Sequence, residues 1–248
     1  MPVRALLFDL WGTLIEDSSR QEGPRTQTRA RLVAQALDAA GHAYPQDEVA
    51  LALQVFNKEH SALHAQGLDI APPERLARFL DMLELGLAQR LSPDSLRAVE
   101  NALIGAIRLH PPLPAPGSHQ VLREAQRRGL ALGLVSNTGI SPGYALRELL
   151  ADFGLLSYLQ ALTFSDEAGL AKPAPEMFHC TLDALGVAPP EAVFTGDLPA
   201  LDVAGPLSVG MWAVQIGDQQ ADGVEPHARI DSLTELFPAL ERLGLLES

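Results

Sequence analysis

Four separated stretches of the chain carry side chains that could do chemistry together. They are Asp9 in "FDLWGTL", Ser136 and Asn137 in "VSNTG", Lys172 in "GLAKPAPEMF", and Asp197 and Asp202 in "GDLPALDVAGPLSVGM". A carboxylate beside a cation can attack an electrophilic centre and form a covalent aspartyl intermediate. Ser136 and Lys172 can bind an anionic group and stabilise charge developing on it. Asp9 with Asp197 offers hard oxygen ligands suited to Mg²⁺, with Asp202 as a further ligand or as the group that orients them. Such an ion would offset repulsion between an anionic nucleophile and an anionic substrate. In outline this is a phosphoryl-transfer site.

These residues can meet only if the fold carries them to one place. Each of the four stretches follows an apolar run that reads as a strand: Val3 to Phe8, "LALGLV" (130–135), "ALTF" (161–164) and "AVFT" (192–195), with "MWAVQI" (211–216) as a fifth. Helical patterns separate the later ones, beginning with 118–128. Alternating units of this kind specify a parallel sheet with helices on both faces, and ligands of such sheets bind at the carboxyl ends of the strands. That is where the four stretches begin.

Between the first strand and the rest the pattern is purely helical. Residues 17–27 are polar and predict a loop. Leu32, Val33, Ala36 and Leu37 share one helix face, ended by Gly41. Asp47 opens a second helix, with Val49, Leu53, Phe56 and Leu63. Pro72-Pro73-Glu74 starts a third, running to Leu87, and Pro93 a fourth with Leu96, Val99, Leu103 and Ile107. "HPPLPAPG" (110–117) has four prolines in eight residues, which stop the helix and stiffen a linker. The fold class expected is therefore α/β, a Rossmann-like parallel sheet flanked by helices. Residues 1–16 and 112–248 form the core, and 17–111 an inserted α-helical domain.

Composition bounds the function. The chain has 248 residues and a net charge of −13, which opposes binding to nucleic-acid phosphates or anionic membranes and leaves room for a local pocket for a small anion. No apolar run is long enough to span a bilayer and no signal peptide is evident. The single cysteine, Cys180, precludes an intramolecular disulfide and fits a reducing cytoplasm; it reads as a small buried helix residue. Oligomeric state is left open.

The four motifs, in this order and at strand ends, resemble the haloacid dehalogenase superfamily, in the branch with a helical cap inserted after the first strand. The resemblance covers nearly the whole chain. It implies a hydrolase with a mobile cap, a nucleophile at Asp9, phosphate-binding roles for Ser136 and Lys172 with Thr13, Asn137 and Trp11 beside the substrate, and Mg²⁺ held by Asp9, Asp197, Asp202 and the backbone carbonyl of Trp11. The substrate implied is a small anionic molecule.

One position departs from the phosphatase pattern. Phosphatase members carry a second Asp two residues after the nucleophile, which protonates the leaving group; here it is Trp11, and indole cannot do this. General acid–base catalysis is typically worth ~10²–10⁴-fold, so ordinary alkyl phosphates should be poor substrates. Dehalogenase members carry an aromatic there, which makes a metal-free attack of Asp9 on a halogen-bearing carbon the rival reading. Against it, those enzymes lack an acid where Asp197 stands and receive the halide on an early cap Arg. The comparable stretch "DAAGH" (38–42) has none, and Arg25, Arg29 and Arg31 lie earlier. A third reading is a catalytically weak member that binds an anion or a protein partner. Plainer roles exist for each residue: Asp9 as a turn cap, Ser136 and Asn137 as caps of the next helix, Lys172 on the surface and Asp202 only orienting. His60 and His64, one helix turn apart, could bind a metal together, the plainer reading being solvated side chains.

Overall fold

The computed structural model describes residues 3–17 and 19–246. In chain order the elements are β1 (Ala5–Phe8), β2 (Ile15–Glu16), α1 (Ser19–Ala39), α2 (Gln46–His64), α3 (Pro72–Leu83), α4 (Leu87–Arg90), α5 (Pro93–Leu109), β3 (Leu113–Pro114), α6 (Ser118–Arg127), β4 (Ala131–Ser136), α7 (Gly143–Asp152), β5 (Ala161–Phe164), α8 (Ser165–Ala168), α9 (Pro175–Leu185), β6 (Ala192–Gly196), α10 (Ala204–Ser208), β7 (Trp212–Ile216), β8 (Ala228–Ile230) and α11 (Leu236–Arg242).

Six strands form one parallel sheet in the order β5-β4-β1-β6-β7-β8. Side chains alternate across a strand. In β1, Leu6 and Phe8 accordingly pack into one apolar cluster with Leu132, Leu134 and Val193, while Ala5 and Leu7 pack into another with Val135 and Phe194 on the opposite face. All four β1 residues are fully buried, as expected of a central strand covered on both sides. The chain leaves β1 for β4 and β5 on one side and returns to β6 on the other. The crevice created by this reversal lies at the carboxyl ends of β1, β4 and β6.

Helices α1 to α5 build a separate apolar cluster of Val33, Leu37, Val49, Leu53, Phe56, Phe79, Leu80, Val99 and Leu103. Local chemistry sets their boundaries. Pro72 and Pro93 open α3 and α5 at positions where no backbone N–H is needed, and the Ser92 hydroxyl accepts from Ser95 N at the start of α5. The two ends of this helical segment meet in a short antiparallel pair, Ile15 opposite Pro114 and Glu16 opposite Leu113. Further along, Asp69 N donates to Gly169 O (3.2 Å) and Ala171 N to Gly67 O (3.0 Å), which ties the α2–α3 connection to the loop before Lys172.

Three expectations are corrected. Residues 17–27 are not a loop from end to end: α1 already begins at Ser19, with Pro24 inside it, because polar composition alone does not separate a helix from a loop. The third helix ends at Leu83; Gly86, with φ 77°, separates it from α4. The stretch 110–117 begins where α5 ends and contributes β3. Cys180 is exposed on α9 rather than buried. The elements β8 and α11 extend the core beyond what the sequence pattern predicted.

Candidate active site

Asp9 stands directly after β1, and its N–H donates to Thr195 O of β6 (2.9 Å). β1 pairs with Leu134 of β4 and Thr195 of β6 opposite Phe8, so Ser136 and Asp197 each lie two residues past that common level. Four of the predicted residues come together here. Lys172 Nζ donates to Asp9 Oδ1 and to Asp202 Oδ1, both at 2.6 Å. Carboxylate oxygens of Asp9, Asp197 and Asp202 all lie within 4.8 Å of one another.

Two glycines make this crowding possible. Gly12 turns the chain with φ 75°, and a Cβ there would stand 2.5 Å from Asp197 Oδ2. A Cβ on Gly196 would stand 2.5 Å from Cβ of Asp202. Asp202 sits in a single π-type turn, Pro199–Val203, a distortion frequent at functional sites, and its Oδ2 accepts from Leu198 N (3.0 Å).

One lysine faces three acids. Burial drives the Asp9 carboxyl up; Lys172 pulls it down; Asp202 and Asp197 push it up again, leaving it at about 7. Asp197 is raised to about 6 by burial and by Asp202. Lys172 is held above its ordinary value: burial disfavours its charge, but Asp202 and Asp9 outweigh it. Asp197 Oδ1 is buried with no hydrogen-bond partner among the described residues. A buried, acid-rich, all-oxygen set with an orphaned carboxylate oxygen suits a hard divalent cation.

The other predicted residues frame this cluster. Asn137 does not cap a helix, since α7 starts only at Gly143. Its amide instead brackets the Lys172 backbone, accepting from Lys172 N (2.7 Å) and donating to Lys172 O (3.1 Å). Ser136 is fully buried, and its hydroxyl donates to Asn137 O (3.3 Å). Thr13 is fully buried with an unpartnered Oγ1 among the described residues. Lys172 is not a surface residue, being 2 % exposed.

Trp11 is half-buried and opens onto a cleft of about 310 Å³ between the sheet and the inserted helices, shared with Asp17, Arg25, Arg29, Asn57 and Asn137. The Arg25 guanidinium lies 5.9 Å from the centre of the indole ring. Sequence reasoning noted Arg25 and Arg29 only as early cap arginines. Their i, i+4 spacing on one helix is the signal that could have placed both on one face.

His60 and His64 are not solvated. Both donate to buried Asp69, His60 Nε2 to Oδ1 (2.7 Å) and His64 Nε2 to Oδ2 (2.9 Å), and Arg75 Nη2 donates to Oδ2 as well (2.5 Å). Arg75 also reaches Gly139 O and Thr138 Oγ1 of the loop after β4. This second cluster draws on α2, α3 and the segment between them.

Comparison with known proteins agrees with the geometry. The family model described as haloacid dehalogenase-like hydrolase matches residues 3–210. A phosphoserine phosphatase of Thermus thermophilus is 32% identical over 96% of this chain and 99% of its own. Among solved structures, a HAD phosphatase from Thermococcus onnurineus (24% identity, TM-score 0.64, 98% of each chain) and a 2-haloacid dehalogenase from Pseudomonas syringae pv. Tomato (22% identity, TM-score 0.67, 97% of this chain and 99% of that one) share the fold. No described helix is long and apolar enough to cross a membrane. The chain is a hydrolase of the haloacid dehalogenase-like family.

Proposed function

We propose that this hydrolase is a Mg²⁺-dependent phosphohydrolase acting on a small phosphorylated metabolite through an aspartyl-phosphate at Asp9, with residues 17–111 as the cap over the site. The observation that carries the reading is the surplus of carboxylates around Lys172, with Asp197 Oδ1 left unpartnered beside them. Asp9, Asp197, Asp202 and the Trp11 carbonyl would hold the ion. When bound, it would neutralise the acids and the substrate phosphoryl oxygens. A metal-free site would leave Asp197 and Asp9 repelling each other and an anionic substrate.

The chain's own groups then divide the work. Lys172 opposes the burial that raises Asp9 and keeps one oxygen fixed, leaving Oδ2 to attack phosphorus; the cation would complete the ionisation of Asp9. As that P–O bond forms, the ester P–O bond breaks and the leaving oxygen departs with its electron pair. Ser136 and Lys172 stabilise charge on the phosphoryl oxygens. Water then attacks the phosphorus of the aspartyl-phosphate, releasing phosphate and restoring Asp9. The leaving oxygen needs a proton, and Trp11 has none to give. Asp17, the carboxylate in the cleft, has both oxygens occupied by the terminal nitrogens of Arg25 (2.5 and 2.6 Å), so neither is placed to hand a proton to the leaving oxygen. The preferred substrates therefore have good leaving groups.

Hydrolysis of acetyl phosphate and p-nitrophenyl phosphate, with Mg²⁺ and with EDTA, tests this. Metal-dependent turnover is expected; absence of turnover and of any trapped adduct on Asp9 would leave a binding protein instead. Trp11 itself favours one second reading, metal-free hydrolysis of a carbon–halogen bond. Chloride release from 2-chloropropionate in EDTA would establish it.

A further inference from the structure

The cleft beside Trp11 contains one cation, Arg29, that makes no ion pair among the described residues; Asp17, already paired with Arg25, attracts it without contacting it. Arg25 and Arg29 both reach it from α1. Arg25 is fully engaged, with Nη1 and Nη2 on Asp17 and Nε on His110 O (2.8 Å). Arg29, one turn later, is 8 % exposed, and its Nε donates to Leu103 O (2.8 Å). Among the described residues its two terminal nitrogens meet no acceptor and no carboxylate pairs with it. Buried guanidinium groups are almost always paired. Burial and the like charge of Arg25 lower the Arg29 pKa to about 10, with Asp17 pulling weakly the other way, and it stays protonated at neutral pH. The cap side of the cleft thus carries net positive charge on a chain of net charge −13, which focuses anions there.

We propose that Arg29 receives a second anionic group of the substrate, so that the site takes phosphomonoesters also bearing a carboxylate or a second phosphoryl group. The inference rests on the phosphohydrolase reading above. A planar fork with two free nitrogens matches either oxyanion in bidentate fashion. Arg29 acts on binding and takes no part in the chemical step.

Calorimetric titration of the Mg²⁺-loaded protein with non-hydrolysable phosphonates separates this inference from the reading beneath it. The ligands are ω-phosphonocarboxylates of two to four carbons, alkane bisphosphonates of the same span, and alkylphosphonates as neutral-tailed controls. At least one doubly anionic series should bind about 10–100-fold more tightly than its control. Which series wins identifies the second group. In Arg29→Gln that ratio should fall to about one, and in Arg29→Lys to an intermediate value. Equal affinity for doubly anionic and control ligands in the wild type overturns the proposal, as does an unchanged ratio in a folded Arg29→Gln. If Arg29→Gln does not fold, the wild-type ratio and Arg29→Lys decide. Binding of no phosphonate removes the phosphate reading and this inference with it. Preferential binding without turnover of any ester sinks only the hydrolase mechanism.

Discussion

Asp69 and Asp9 are both 6 % exposed, each touches a basic side chain, and their surroundings drive them in opposite directions. Burial alone would raise the Asp69 carboxyl. Hydrogen bonds from His60 and His64 and the charge of Arg75 overcome it and hold the group well below the ordinary carboxylate range. Its four acceptor contacts, from His60, His64, Arg75 and the Ile70 N–H, use both oxygens. Asp9 shares its single lysine with Asp202 and has Asp197 beside it, and it is raised. The first cluster is electrostatically complete and joins the inserted helices to the loop after β4. The second is incomplete, and the incompleteness is what a cation and an anionic substrate would fill. Physical satisfaction thus separates the structural cluster from the chemical one, although both gather acids and bases from distant parts of the chain.

The contrast can be broken in order of effect. Asp9→Asn should lower turnover of acetyl phosphate by at least about 10⁴-fold, whereas Asp69→Asn should leave kcat within a few-fold; steady-state kinetics of the two variants tests the division directly. Trp11→Asp should raise turnover of an alkyl phosphate by about 10²-fold or more by returning the missing acid; unchanged or lower rates would refute the account of the leaving group. Asp69→Asn should cost about 3 kcal/mol, because it strands Arg75, read as a lower denaturant midpoint.

The smallest effects concern pH and metal. Asp9 and Asp197 have raised folded-state values, about 7 and 6 against 3.8 unfolded. Their contribution to stability is present below about pH 4 and is lost as pH rises through 6 to 7. Asp69 has the opposite sign: its contribution is present above its unfolded value and is lost in acid. Metal-free protein should therefore lose stability from pH 5 to 8, and Mg²⁺ should restore it at pH 8 far more than at pH 5. Asp197→Asn should stabilise the metal-free protein at pH 8 by about 1–2 kcal/mol, allowing for solvent screening of a half-exposed group, and should abolish much of the Mg²⁺ response. Melting curves across pH with and without the ion would show both.

The parts legible in the sequence are those with local signatures. "ALTF" is β5 residue for residue, and Asp9, Ser136 and Asp197 lie at or just past strand ends, because continuous apolar runs and turn chemistry are written into a few adjacent positions. What escaped is assembled across the chain. No spacing rule links His60 and His64 to Asp69 and Arg75, since a helix end and a connection set their approach. The pair β2–β3 has two residues per strand, too few for any alternation to register. Arg29 is visible in the sequence as an early arginine, but that it makes no ion pair among the described residues depends on how Asp17 and Arg25 pair in space.

That two-residue pair has a consequence for how the molecule could be rebuilt. Because Ile15–Glu16 and Leu113–Pro114 run side by side, the 96 residues between Glu16 and Leu113 leave and rejoin the core one strand spacing apart, about 5 Å. A replacement segment that presents two ends at that separation meets the covalent geometry of the junction, and must also replace the contacts of Gly67, Asp69 and Arg75 with the loops after β4 and before Lys172. The junction is a socket: the inserted helices enter and leave the core through one pair of adjacent backbones.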